Sequence, residues 1–250
     1  MPEPGTASED GALKVAIITG ASRGIGAGLV AGFRGAGYAV VGSSRYILPS
    51  DAADYLTVPG DAADPDTAER VIEATLERFG RIDSLINNAG IFIGKPFTDY
   101  TPEDFEALTS VNLAGFFHIT QRAIGHMVDQ GGGHVINVST SLVDHPSSAR
   151  PAALSVLTKG GLAVVARSLA VEYASRGVRV NAVSLGVIQT PAHDPDTYAG
   201  MAALHPVGRL GQISDVVDAI LYLERATFVT GEVLHVDGGQ AAGSRGSASS

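Results

Sequence analysis

The sequence contains no cysteine. This absence excludes disulfide bonds, thiolate metal sites and a cysteine nucleophile, and we predict no metal site. No run reaches the ~18 consecutive apolar residues that span a bilayer, so no transmembrane helix is expected. The first residues, MPEPGTASEDG, contain neither a basic region nor an apolar one. We therefore expect no signal peptide and a cytoplasmic location.

Positive charge is also scarce. The 250 residues include 17 Lys and Arg against 26 Asp and Glu, which gives a formal net charge of −9. Because nucleic-acid binding needs clustered positive charge, a nucleic-acid partner is disfavoured. The chain is 45% hydrophobic, enough for one sizeable core. We predict one domain over residues 13–240, with small, polar and flexible tails at 1–12 and 241–250.

Short apolar segments alternate with helical patterns along this domain. Seven segments read as strands: KVAIIT, YAVVG, YLTVP, IDSLIN, HVINVS, VRVNAVS and EVLHV. Helices are predicted from Gly24 to an end near Gly35–Gly37, from Pro65 to Gly80, after an N-cap at Thr101, and through Lys159 to about Ser175. Fully apolar strands that alternate with helices indicate an α/β fold with a parallel sheet covered on both faces.

The first strand runs directly into TGASRGIG, which places Gly20, Gly24 and Gly26 between a strand and a helix. Glycines in such a turn let backbone N–H groups approach a pyrophosphate at the helix N-terminus. A glycine triplet alone is a weak signal, but its position after the first strand of an α/β alternation predicts a dinucleotide site.

The end of the second strand indicates which nucleotide is preferred. A carboxylate there would bind a ribose 2′-hydroxyl, whereas an arginine would accept a 2′-phosphate. This chain has Ser44 followed by Arg45, and Arg23 lies in the glycine loop. Two cations without a carboxylate favour NADP(H), with NAD(H) as the alternative.

Several motifs now occur in a fixed order, and together they resemble the short-chain dehydrogenase/reductase (SDR) family over about residues 13–240. After the glycine loop come Asp61, NNAG at Asn87–Gly90 and VNL at Val111–Leu113. NVSTS, Lys159, RVNAV and VTGEVLHVDGG follow. The resemblance implies a Rossmann-like, doubly wound parallel sheet of about seven strands and an NAD(P)-dependent oxidoreductase.

The resemblance also implies roles for single residues. Lys159 would bind the nicotinamide ribose and lower the pKa of a neighbouring acid, while Asn112 would hold a water for a proton relay. A hydroxyl that orients the substrate carbonyl would come from Thr140 or from the adjacent Ser141. The implied coenzyme contacts, in addition to Lys159, are Gly20, Ser22, Arg23, Gly24, Ile25, Gly26, Ser44, Arg45, Asp61, Ala62, Asn88, Ala89, Gly90, Ile188 and Thr190.

The sequence departs from the family at the acid itself. A tyrosine is expected four residues before Lys159, but the position is Ser155, and no tyrosine lies between Tyr100 and Tyr173. A phenol has a pKa of about 10 that a lysine can pull toward neutrality, whereas an aliphatic hydroxyl is far less acidic. The usual proton relay is therefore doubtful.

Three substitutes for the phenol are open. A water held between Ser155, Lys159 and Asn112 could donate the proton. His145 could be the acid, because its unperturbed pKa of about 6.5 suits proton transfer. Lys159 itself could act if desolvation lowers its pKa.

The resemblance implies that the segment from Thr190 to Pro206 forms a substrate lid, with His193, Tyr198, Met201 and His205 as candidate pocket residues. Phe92, Ile93 and Phe97 would add an apolar wall, which indicates a partly apolar small-molecule substrate. The reaction would involve a carbonyl, an imine or an activated alkene. A non-redox enzyme (cyclase, isomerase or lyase) on the same scaffold and a nucleotide-binding sensor are the alternatives.

The resemblance further implies a homotetramer or homodimer. The long helices near residues 104–130 and 152–175 and the C-terminal strand would form the contacts.

Overall fold

The computed structural model describes residues 13–148, 150–191 and 194–243. Seven strands form one parallel sheet: β1 (Val15–Thr19), β2 (Ala39–Ser44), β3 (Tyr55–Pro59), β4 (Ser84–Asn87), β5 (Gly133–Thr140), β6 (Val178–Leu185) and β7 (Val233–Val236). Their spatial order is β3-β2-β1-β4-β5-β6-β7. The predicted doubly wound parallel sheet is confirmed, and each predicted strand segment overlaps one of these strands.

The helices are α1 (Gly24–Gly35), α2 (Pro65–Phe79), α3 (Pro102–Thr109), α4 (Gly115–Asp129), α5 (Ala153–Tyr173), α6 (Tyr198–Ala202) and α7 (Ile213–Arg225). Thr101 caps α3 as predicted, because its hydroxyl accepts the Asp104 N–H while the Asp104 carboxylate accepts the Thr101 N–H. The predicted long helix after Thr101 is interrupted by a wide π-type turn, Ser110–Ala114. Such turns are frequent at functional sites, and this one contains Asn112.

Alternating strand residues supply two hydrophobic cores. In β1, Val15 and Ile17 contribute to the core beneath α2, α4 and α5, while Ala16 and Ile18 contribute to the core beneath α1 and α7. This period-two alternation is what a parallel sheet needs when helices cover both of its faces.

Helix α5 begins at Ala153, six residues before Lys159, and its small side chains Ala163, Ala166 and Ala170 are buried against the sheet. Among the described helices, α5 with its following turn (Ala153–Arg176) is long and apolar enough to cross a membrane. The sequence does not predict such a segment, because Lys159, Arg167 and Glu172 interrupt it. Its buried alanines identify it as a core helix of the α/β fold.

The strand order places the functional edge of the sheet. The chain builds outward from β1 to β2 and β3, then returns to add β4 on the other side of β1. In open parallel sheets, ligands bind outside the carboxyl ends of the strands where the order reverses. The crevice between the ends of β1 and β4 is therefore the expected site.

Candidate functional site

A cavity of about 540 Å³ opens at that crevice. It is lined by residues that follow β1, β2 and β3 on one side of the switch point, and by residues that follow β4, β5 and β6 on the other. All but three of the predicted site residues are among the lining: Asn112, Ser155 and His145 are not.

The glycine loop is shaped for close approach of a phosphate group. Gly20 and Gly24 have φ angles of 68° and 56°, and a Cβ at Gly26 would overlap the Gly20 carbonyl oxygen. Helix α1 has no side-chain cap at Arg23 and no acidic residue in its first turn. The backbone N–H groups at this helix N-terminus can therefore bind an anion, which fits a pyrophosphate.

The residues expected to contact the adenosine all line the cavity. One carboxylate oxygen of Asp61 accepts the Ala63 N–H at 3.0 Å, which fixes the side chain while the second oxygen keeps acceptor capacity. The amide of Asn88 donates to the carbonyl oxygens of Thr19 and Gly20 at 2.9 and 3.3 Å. These bonds hold the loop after β4 against the glycine loop, and Ala62, Ala89 and Gly90 line the space beside them.

Two arginines flank the end of β2. Arg23 and Arg45 both line the cavity and are exposed, and the guanidinium of Arg45 lies 5.8 Å from the Tyr46 ring centroid. Between them, the hydroxyls of Ser22 and Ser44 are hydrogen-bonded at 2.8 Å. In the described part of the chain, neither guanidinium has a hydrogen-bond or ion-pair partner. This corner can accept a doubly charged phosphate.

Lys159 reaches the cavity from the second turn of α5. Its ammonium group and the side-chain oxygen of Asn112 both lie next to Gly90. A methyl group added at Gly90 would stand 2.8 Å from Nζ and 3.2 Å from that oxygen. Desolvation by burial lowers the pKa of Lys159 to about 8. A lysine with this pKa is partly deprotonated near neutrality and can exchange a proton with a substrate.

The Asn112 side chain is hydrogen-bonded within the protein. Its oxygen accepts the Ile91 N–H at 2.9 Å, and its amide donates to the Ile91 carbonyl and to the Thr158 hydroxyl at 3.1 and 3.0 Å. Asn112 therefore fixes the loop after β4 relative to α5.

The two candidate hydroxyls at the end of β5 differ in their hydrogen bonds. Ser141 donates to the Leu185 carbonyl at 3.1 Å and lies 3.0 Å from the Gln240 side-chain oxygen, so its proton is committed. The Thr140 oxygen accepts the Leu142 N–H at 3.4 Å, which leaves its proton available for a substrate oxygen. Thr140 is the hydroxyl that can orient a carbonyl.

Ser155 does not face the cavity. Its hydroxyl oxygen lies 2.9 Å from both the N–H and the carbonyl oxygen of Ile93, and its side chain is fully buried. The segment after β4 thus lies against the start of α5 at the point where a longer side chain would need room. The expected water between Ser155, Lys159 and Asn112 has no support here, because Ser155 and Asn112 both bond to this segment.

His145 is half-buried and lies outside the cavity lining. Its backbone N–H bonds to the Ser141 carbonyl at 2.9 Å, and the neighbouring Asp144 pairs with His235 at 2.9 Å. The structure does not bring the His145 side chain to the reacting end, so the expected acid role has no geometric support.

The lid contributes less than expected. His205 is buried, and its Nε2 accepts the Val187 N–H at 3.0 Å, so it supports the cavity wall from behind. Tyr198 lines a second cavity beside Gln189 and Gln212, and Met201 lines neither cavity. His193 lies outside the described residues. Of the predicted apolar wall, Phe92 lines the main cavity, whereas Ile93 and Phe97 do not.

The chain after β6 forms the remaining wall. Ile188 makes a parallel bridge with Gly211, and Gln189 donates its N–H to the Gly211 carbonyl at 2.8 Å. These contacts hold Ile188 and Thr190 at the cavity, as expected for residues that bind a nicotinamide carboxamide.

Sequence reasoning missed several polar lining residues, including Arg150 and Gln240. Arg150 lies in the segment between β5 and α5, where no local pattern marks it. Gln240 reaches the site from beyond β7 and is buried. What marks Gln240 as a site residue is its contact with Ser141, and only the tertiary structure shows that contact.

The doubly wound sheet, the open helix N-terminus and the partly desolvated lysine together define a dinucleotide-binding enzyme. A family model described as enoyl-(acyl carrier protein) reductase matches residues 20–241. The 3-oxoacyl-[acyl-carrier-protein] reductase FabG of Thermotoga maritima is 34% identical over 242 residues, covering 90% of this chain and 97% of that protein.

Solved structures agree with this match. "ElxO with NADP Bound" aligns with a TM-score of 0.85 at 28% identity, covering 92% of this chain and 99% of that one. The 3-ketoacyl-(acyl-carrier-protein) reductase from Brucella melitensis, complexed with NADH, aligns with a TM-score of 0.82 at 30% identity, covering 91% and 98%. The chain therefore belongs to the short-chain dehydrogenase/reductase family and is an NAD(P)-dependent oxidoreductase.

Proposed function

We propose that this enzyme is an NADP(H)-dependent oxidoreductase that reduces a carbonyl, an imine or an activated alkene of a partly apolar small molecule, with Lys159 as the proton donor. One observation carries this proposal. The ammonium group of Lys159 lies at the cavity with its pKa lowered to about 8 by desolvation. The residue in the usual acid position, Ser155, is bonded instead to the backbone of Ile93.

The preference for NADP(H) rests on the charge around β2. NADPH would place its 2′-phosphate near Arg23 and Arg45, its pyrophosphate at the N-terminus of α1, and its adenine near Asp61. A carboxylate that would select NAD(H) is missing at the end of β2, where Ser44 stands. One solved relative has NADP bound and another is complexed with NADH, so both coenzymes occur in this family.

When bound, NADPH supplies the hydride. The residues of this chain then have two tasks, to orient the acceptor and to deliver the proton. Thr140 donates its free hydroxyl hydrogen to the substrate oxygen, while the Lys159 ammonium supplies the proton either directly or through a water. Phe92 and Leu142 contribute apolar surface to the same wall, which supports a substrate with an apolar portion.

The surface of α5 supports a homo-oligomer. Leu157, Val164 and Val171 recur every seven residues on this helix and are 63%, 64% and 84% exposed. Phe105 on α3 and Phe117 on α4 are each 53% exposed. A seven-residue spacing keeps side chains on one stripe of a helix, and a second copy of the chain would cover this apolar stripe. We place the assembly in the cytoplasm.

The coenzyme preference is tested by measuring the affinities for NADPH and NADH, using the change in the fluorescence of each nucleotide when it binds the enzyme. Replacing Arg45 by Ala should weaken NADPH binding about tenfold or more and leave NADH nearly unchanged, because a charge-assisted bond to the 2′-phosphate is lost. An equal loss for both nucleotides would refute the 2′-phosphate role.

The activity is tested by following NADPH oxidation with a panel of aldehydes, ketones, imines and conjugated enones. Turnover that disappears in Lys159→Ala while NADPH still binds supports the proposal. Tight NADPH binding without oxidation by any member of the panel contradicts it.

A further inference from the structure

The charges that line the cavity differ sharply from those of the whole protein. The chain carries a net charge of −9, yet the charged residues of the described lining are four cations and one carboxylate: Arg23, Arg45, Arg150, Lys159 and Asp61. The nucleotide corner explains Arg23, Arg45 and Asp61, which follow β1, β2 and β3. The reacting end, beyond β4, has two cations and no carboxylate among its described lining residues.

Arg150 is the unexplained cation. It is half-buried, it lines the cavity, and its backbone N–H bonds to the Ser147 carbonyl at 3.2 Å. In the described part of the chain, its guanidinium has no hydrogen-bond or ion-pair partner. The carboxylates on this side are engaged elsewhere: Asp144 pairs with His235, and Asp237 accepts the N–H groups of Gly239 and Ala241.

An arginine in this position has a strong tendency to bind an anion. A partly desolvated charge without a partner is unfavourable, and an ion that brings oxygen acceptors relieves that cost. The planar guanidinium offers paired N–H groups whose spacing matches a carboxylate. A carboxylate carries one negative charge, which one arginine can neutralise, whereas a phosphate dianion would leave a charge over.

We propose that Arg150 binds a carboxylate of the substrate, so that the enzyme acts on compounds carrying both an acid group and the reducible group. The proposal rests on the proposed oxidoreductase function and names its substrate class. The reducible group lies at Thr140 and Lys159, the carboxylate lies at Arg150, and the apolar portion contacts Phe92 and Leu142. The substrate is thus an oxo acid, or the corresponding imino or unsaturated acid.

A direct binding test uses benzoate and its neutral isostere benzamide with the enzyme–NADP⁺ complex, measured by isothermal titration calorimetry. We expect benzoate to bind at least about tenfold more tightly than benzamide. Arg150→Gln should abolish that difference. Arg225→Gln removes a charge at the end of α7, outside the cavity lining, and it should preserve the difference. Benzoate binding that is equal in Arg150→Gln and the native enzyme, or no preference for benzoate, would overturn the proposal.

A turnover test uses 2-, 3- and 4-formylbenzoate against their methyl esters, whose rigid rings fix the distance between aldehyde and acid. At least one acid should exceed its ester in kcat/KM, and Arg150→Gln should reduce the acid about ten- to hundredfold with little change for the ester. An equal loss for acid and ester would mean that Arg150 acts on the aldehyde oxygen, and it would refute the carboxylate site. Benzoate binding through Arg150 without reduction of any aldehyde would retain the anion site and contradict the proposed reduction of a carbonyl.

Discussion

Replacing Ser155 by Ala tests whether the residue in the usual acid position is structural or catalytic. Its hydroxyl oxygen accepts the Ile93 N–H and donates to the Ile93 carbonyl, each at 2.9 Å. Tyr100 also donates to that carbonyl at 2.7 Å, so the carbonyl keeps a partner in the variant. The Ile93 N–H is the group that would be left unpaired.

A buried donor without a partner destabilises a protein by about 1–3 kcal/mol. For a chain of this size each kcal/mol lowers Tm by about 2–4 °C, so Ser155→Ala should lower it by about 2–12 °C. We expect kcat for reduction to change less than about threefold, since losing a general acid would instead cost about 10²–10⁴. The assays are thermal unfolding by circular dichroism and NADPH oxidation at saturating substrate.

Tyr100→Phe is the matched control for this experiment. It removes the second donor to the Ile93 carbonyl but leaves the Ile93 N–H bonded to Ser155, so its effect on Tm should be smaller. A Ser155→Ala variant with unchanged Tm and a hundredfold lower kcat would refute the structural role and restore Ser155 to the proton relay.

Three further predictions follow from charge and exposure. Reduction by the native enzyme should slow as the pH rises through about 8, where the Lys159 ammonium loses its proton. A flat rate profile from pH 7 to about 9 would contradict this pH dependence. Lys159→Ala should lower kcat by about 10²–10⁴. Burial and the charge of Arg179 lower the pKa of His134 despite the opposing effect of Glu224, so the histidine is neutral when folded. The free energy of unfolding should therefore fall as the pH drops below the unfolded-state value of about 6.5, and His134→Gln should lose that part of the slope in urea titrations. Val164→Glu, on the exposed stripe of α5, should dissociate the assembly in light scattering, whereas an unchanged mass would exclude this stripe as the contact.

The hydrogen bonds around His134 indicate which nitrogen of its neutral ring carries the proton. Asn181 accepts the Glu232 N–H through its side-chain oxygen at 3.0 Å, so its amide faces His134 Nε2 at 2.9 Å and donates to it. His134 Nε2 is then an acceptor, and in the neutral ring Nδ1 carries the proton that faces Glu224 at 2.8 Å. The Arg179 guanidinium also lies 2.9 Å from Nδ1, and its charge opposes protonation of the ring. Protonation of Nε2 would turn that acceptor into a donor facing the Asn181 amide, which is a physical reason for the acid sensitivity.

The sequence by itself determined the elements and the coenzyme end of the site. Strand periodicity, the Thr101 cap and the glycine loop are local patterns, so they are sufficient to identify the parallel sheet, α3 and the nucleotide corner. The Ser155–Lys159 spacing is equally local, because both residues lie on one helix. The sequence therefore also revealed that the phenol was missing.

The tertiary structure alone decided which side chains line the cavity near Lys159, where the phenol is missing. Ser155 bonds to a residue 62 positions away and Ser141 approaches one 99 positions away, and no short-range pattern encodes either contact. The segment after β4 bonds to Ser155 and holds it outside the cavity lining. The contacts of Ser141 with Leu185 and Gln240 leave Thr140 as the available hydroxyl, and the chain after β5 leaves His145 outside the lining. The same folding brought Arg150 to the cavity that Lys159 lines. The reason is physical: periodicity reflects repeating local geometry, whereas a site at a sheet edge is assembled from loops whose course depends on everything packed around them.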